Sequence, residues 1–319
     1  MYIEQAYKGL TDAWRYIVGG AIIFIAWQVL GSVPLLVGLG LKVESLADFP
    51  TDIPGMAALL GQNLFLFLML LSFAIGIIGV FISFKYLHNL SFTQFTTTRA
   101  KVDWKRFWFI FILWGVISSS LVLIDFFFIT PEDYVLNFEL KPFLILLVMG
   151  VLMFPLQTSF EEYAFRGYGM HFLGTIAKNR WLPLIITSVL FGVMHIFNPE
   201  VKQLGYIIMV YYIGTGFFLG IITLMDEGLE LALGFHAANN LFTALLVTTS
   251  WGVLQTPSIL LNTTEPEKIA LTEIFVPVFI VFPILLFILA KKYKWSNWKD
   301  KLFGPVSEPP KEDYKILEK

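Results

Sequence analysis

Residues 142–167 read PFLILLVMGVLMFPLQTSFEEYAFRG, and they decide the class of the fold. From Pro142 to Phe160 there is no charge, which is enough chain to enter about 30 Å of hydrocarbon as a helix. Then Glu161, Glu162 and Arg166 arrive within six residues, where an apolar helix would otherwise continue. A charged group at the centre of a membrane helix costs roughly 2.5–3.5 kcal/mol on insertion scales, so three together need a reason. On a helix Glu162 and Arg166 are four apart with the acid N-terminal, the favourable order for an ion pair. Glu161 is turned about 100° away from Glu162 by the helical repeat. One carboxylate can therefore be neutralised structurally while its neighbour stays available for chemistry. A loop beginning at Glu161 in the headgroup region is the competing reading of residues 160–167.

Composition supports the membrane reading. The chain of 319 residues is 57% hydrophobic and only 14% charged, where soluble domains carry about 25% charge. There is no cysteine, which excludes disulfides, thiol catalysis and cysteine metal sites. The first apolar run, Tyr16–Leu41, is longer than the core of a cleavable signal. No phosphate-binding glycine loop or basic, aromatic-interleaved strip points to nucleic acid.

Eight uncharged runs are long enough to count as membrane spans, so the expected fold is an all-α, polytopic transmembrane bundle. They are residues 16–41, 64–84, 107–124, 142–160, 182–197, 204–225, 231–249 and 274–290. With eight spans, 18 of the 22 Lys and Arg fall on the side of the two termini, and Lys42, Lys141, Lys202 and Lys268 fall on the other. The positive-inside rule then places both termini in the cytoplasm. Four regions follow: three N-terminal helices (1–141), a membrane core (142–249), an outer loop with the last helix (250–290), and a Lys-rich cytoplasmic tail (291–319). The tail reads as a basic segment running into disorder.

Other polar residues interrupt the apolar runs. His195 follows Phe191 by one turn, and His236 and Asn240 share a helix face four apart. A lone intramembrane histidine is more often a satisfied structural group. Two of them, with an asparagine and a carboxylate pair on three spans, are most cheaply satisfied around one polar cavity. Depth counting places that cavity in the cytoplasmic half of the membrane. A carboxylate there can act as general base, imidazoles can share protons, and Asn and His donors suit an oxyanion. No HExxH zinc pair or GxSG nucleophile offers another route to hydrolysis.

Glu161-Glu162-x-x-x-Arg166, Phe191-x-x-x-His195 and His236-x-x-x-Asn240 together resemble the three motifs of the CPBP (Abi) intramembrane proteases, which include the type II CAAX prenyl endopeptidases. The resemblance covers about residues 141–249. It implies that Glu161 and His195 activate the attacking water, that His236 and Asn240 stabilise the oxyanion, and that Glu162, Arg166 and Phe191 support them. It resolves the choice between Asn239 and Asn240 toward Asn240. Whether Glu161, His195 and His236 hold a zinc ion or work without metal stays open here. The implied partners are the lipid bilayer and a membrane-associated peptide or protein substrate. The short loops favour a bacterial inner-membrane protein. Three classes fit the residues: an endopeptidase, a catalytically idle immunity or scaffold protein of the same family, and a small-solute transporter. The intact motif set favours the first, and the lack of internal repeats counts against the last.

Overall fold

The computed structural model describes residues 1–310. Its principal helices are Ala13–Gly40 (α1), Gln62–Leu87 (α2), Trp104–Ile129 (α3), Leu140–Ala177 (α4), Trp181–Val193 (α5), Tyr206–Asp226 (α6), Glu230–Leu246 (α7) and Leu271–Tyr293 (α8). Six of these are long and apolar enough among the described residues to cross a membrane; α5 and α7 are shorter. Together they account for the eight expected spans, and the chain is a multi-pass, nearly all-helical membrane protein.

The departures from regular helix fall in the middle of the bundle. Pro155 lies inside α4, where it removes one backbone donor. Directly after Glu162 the same helix widens to a π-type winding over Tyr163–Gly169, a feature that tends to mark functional sites. The 38 residues of α4 span about 57 Å, so the helix continues well past the carboxylate pair. By contrast α5 covers only about 20 Å and then unwinds. Its last turns tighten: the His195 amide donates to Gly192 O (2.9 Å) and the Ile196 amide to Val193 O (3.0 Å).

Helix α7 packs against α3 and α4, α5 against α6, and α2 against α4. Two glycines permit the closest approaches. A Cβ on Gly216 would lie 2.5 Å from Ser188 O, and one on Gly234 would lie 2.4 Å from Phe107 O. Both partners are backbone atoms that cannot swing aside, so α5–α6 and α3–α7 meet through bare glycine faces.

A small sheet, absent from the expected all-helical pattern, closes one end. Tyr134–Leu136 (β1), Val247–Thr249 (β2) and Leu260–Asn262 (β3) pair in the order β1-β3-β2, antiparallel for β1 with β3 and parallel for β2 with β3. It joins the α3–α4 connection to the α7–α8 connection. At the opposite end Ile3, Tyr7, Met170, Leu184, Leu224, Met225, Leu302 and Val306 form one apolar cluster. The two ends of the described chain therefore lie on one face of the bundle.

That cluster corrects the reading of the tail. Trp298–Phe303 (α9) is an ordered helix, with Leu302 and Val306 buried. Arg180 donates to Asp300 O (2.9 Å) and pairs with Glu4, while Lys301 Nζ donates to Met225 O (2.9 Å). The apolar residues of this stretch are too sparse to signal a helix by period, and only contact with α4, α5 and α6 makes it fold. Residues 311–319 of the expected tail lie outside the described residues.

Candidate active site

Two i,i+4 rows on α4 organise the site. In the first, Arg166 Nη1 donates to Glu162 Oε1 at 3.1 Å, and both side chains are wholly buried. Arg166 Nη2 donates to Gly216 O at 3.0 Å, and the guanidinium carbon lies 4.3 Å from the centre of the Phe191 ring. One cation thus links α4 to α6 and α5. In the second row Gln157 Nε2 donates to Glu161 Oε1 at 2.6 Å.

His236 brings α7 to the two carboxylates. Its Nδ1 donates to Glu162 Oε1 at 2.8 Å, and its Nε2 lies 3.5 Å from Glu161 Oε2. Glu162 therefore accepts from both Arg166 and His236.

His195 stands beyond the last turn of α5. Its Nδ1 donates to Phe191 O at 2.7 Å, which leaves Nε2 as the nitrogen free for chemistry. The ring stacks on Tyr212 with centroids 4.5 Å apart and 20° between planes. Phe191 packs against both imidazoles, its ring centroid 4.9 Å from that of His195 and 5.7 Å from that of His236. Asn240 donates through Nδ2 to Gln157 Oε1 at 2.9 Å.

The seven residues read from the sequence thus gather in one place. Arg166 pairs with Glu162 as its spacing indicated, and Glu161 is left out of that pair. His236 lies about 9 Å from the Glu230 end of α7, and His195 lies just past the Val193 end of α5.

Three contributors escaped the sequence reading. Gln157 stands one turn before Glu161 on the same face, a signal that its polar side chain in an apolar run could have supplied. Tyr212 and Trp114 are aromatic residues in helices rich in them, and nothing in the spacing singles them out. Among the described residues, no three His, Asp or Glu side chains are placed to hold a metal ion. Each imidazole Nδ1 is committed to a protein acceptor, which leaves Nε2 of His195 and of His236 as the nitrogens a metal would have to use beside Glu161. An apolar groove of about 540 Å³ between α6 and α8, lined by residues such as Met209, Ile213, Phe217 and Val278, contributes no group to this cluster.

Comparison with known proteins adds to this geometry. The chain is similar to the uncharacterised protein YyaK of Bacillus subtilis (strain 168), 29% identical over 242 residues that cover 76% of this chain and 80% of that protein. No solved structure matches. Residues 141–242 match the family model described as type II CAAX prenyl endopeptidase Rce1-like, a range that holds Glu161, Glu162, Arg166, Phe191, His195, His236 and Asn240. The segment that carries the site is thus similar to the type II CAAX prenyl endopeptidase Rce1-like family.

Proposed function

We propose that this protein is an intramembrane endopeptidase in which Glu161 takes a proton from the water that attacks a peptide carbonyl. The observation that carries the proposal is the different state of the two adjacent carboxylates. Glu162 Oε1 is shared by Arg166 and His236, whereas Glu161 Oε1 accepts only from the neutral amide of Gln157 and its Oε2 faces His236 Nε2; the Oε2 of each carboxylate has no hydrogen-bond partner among the described residues. A positioned base of this kind contributes about 10²- to 10⁴-fold to a rate.

The proton would pass from water to Glu161 Oε2 as oxygen bonds to the carbonyl carbon, and then to the departing amine nitrogen as the C–N bond breaks. His195, with Nδ1 anchored on Phe191 O, presents Nε2 to the same water. His236, held at Nδ1 by Glu162, directs an Nε2–H at the developing oxyanion, and the second amide hydrogen of Asn240 adds to it. No step is assigned to a metal ion.

The family description names prenylated CAAX proteins, so a farnesylated peptide ending in a CAAX box is the first substrate to offer. Protein reconstituted in liposomes should release the terminal tripeptide, detected by mass spectrometry, and His195→Ala should slow release at least about a hundredfold. Equal release by wild type and His195→Ala would remove His195 from the reaction. We place the protein in a bacterial cytoplasmic membrane with its termini inside, on the strength of the Lys and Arg asymmetry.

A further inference from the structure

Five side chains from three helices form a single hydrogen-bonded series that ends on Glu161. Trp114 Nε1 of α3 donates to Asn239 Oδ1 (3.1 Å), and Asn239 Nδ2 donates to Asn240 Oδ1 (3.2 Å). Asn240 Nδ2 of α7 donates to Gln157 Oε1 (2.9 Å), and Gln157 Nε2 of α4 donates to Glu161 Oε1 (2.6 Å). Trp114, Gln157 and Glu161 are buried.

The two ends fix the direction of every bond between them. An indole N–H can only donate, and an ionised carboxylate can only accept. An amide joined to both must turn its carbonyl toward Trp114 and its NH₂ toward Glu161. Reversing any one of the three amides would set donor against donor on one side and acceptor against acceptor on the other. Leaving buried polar groups unpaired in this way is costly, and more so in a low-dielectric interior.

We infer that Trp114, Asn239, Asn240 and Gln157 are a one-way chain of positioning residues that locks Glu161 Oε1 and reserves Oε2 for the proton. This rests on the reading of Glu161 as the base. The chain arrives at Oε1, while Oε2 points toward His236 Nε2 and has no hydrogen-bond partner among the described residues. Each amide polarises the next, so a donor on α3 that never touches Glu161 tunes how firmly its carboxylate is held. The chain also gives Asn239 a task that the motif spacing alone did not.

Infrared spectroscopy of the purified protein can test this without a substrate. Subtracting the spectrum of the Glu161→Gln form at one fixed neutral pH isolates the carboxylate stretch of Glu161. Trp114→Phe keeps a ring to pack on Phe235, whose centroid lies 4.7 Å away, but removes the N–H. The stretch should be displaced in Trp114→Phe and displaced further in Gln157→Leu, and the double variant should match Gln157→Leu alone. Asn239→Leu cuts the next link and should also displace the band, which covers a failure of Trp114→Phe to accumulate. A band that stays at the wild-type position in Asn239→Leu and in any Trp114→Phe protein obtained would overturn the chain, even if Glu161→Gln abolishes cleavage. A displaced band in a protein whose Glu161→Gln variant still cleaves would instead overturn the proton role assigned to Oε2.

Discussion

Glu162 and Glu161 are neighbours in sequence and opposites in surroundings, and most of the site's logic lies in that difference. Glu162 accepts from Arg166 and His236, and Arg166 in turn reaches Gly216 O and the Phe191 ring. Arg166→Ala should therefore cost about 3–5 kcal/mol, because it leaves a buried carboxylate without its guanidinium. Arg166→Lys should recover little, since an ammonium cannot fork between Glu162 and Gly216 O while lying flat on Phe191. Thermal unfolding in detergent would measure both, and wild-type melting of Arg166→Lys would mean that the fork has no stabilising role. The i,i+4 spacing made this pair legible from sequence. What spacing could not show is that His236 takes Glu162, an acceptor on another helix, while His195 turns its Nδ1 back to the carbonyl of Phe191 one turn earlier.

At the scale of elements, the segments that looked like polar surroundings prove to be packed. His88, in the Lys- and Arg-bearing stretch after α2, is buried: Nδ1 donates to Leu10 O (2.6 Å) and Nε2 meets the Tyr168 hydroxyl (3.0 Å). Burial lowers its pKa below the ordinary 6.5. The unfolded chain therefore takes up a proton near pH 6.5 that the native chain refuses, and stability falls as pH drops from there toward the lowered native value. Above that window both states are neutral at His88 and the effect vanishes. His88→Gln should melt lower than wild type near pH 7.5, yet lose less than wild type between about pH 7 and 5.5. Parallel losses in the two proteins would show that His88 does not carry the dependence. The α9 helix and the N-terminal segment teach the same lesson, since their order comes from tertiary contacts that a local reading does not contain. Span positions, in contrast, were readable because lipid demands long uncharged runs. Only α5 and α7 fall short of full spans; α7 carries His236 and Asn240, and α5 ends two residues before His195.

For the molecule as a whole, eight membrane helices and the shared cluster of Ile3, Tyr7, Leu302 and Val306 put both ends on one face. We propose, from the 18-to-4 division of Lys and Arg, that this face is the cytoplasmic one. Reporter fusions after Lys141 and Lys268 should read outside, and a fusion at the C-terminus inside; a C-terminal fusion that reads outside would reverse the assignment. Whether the bundle is an enzyme or a scaffold turns on Glu161. Glu161→Gln preserves shape and the bond from Gln157, and leaves the Glu162–Arg166–His236 set untouched, so it should fold and accumulate as wild type does. Its cleavage of the farnesylated CAAX peptide should fall by about a hundredfold or more. A well-folded Glu161→Gln protein that cleaves at the wild-type rate would contradict the account.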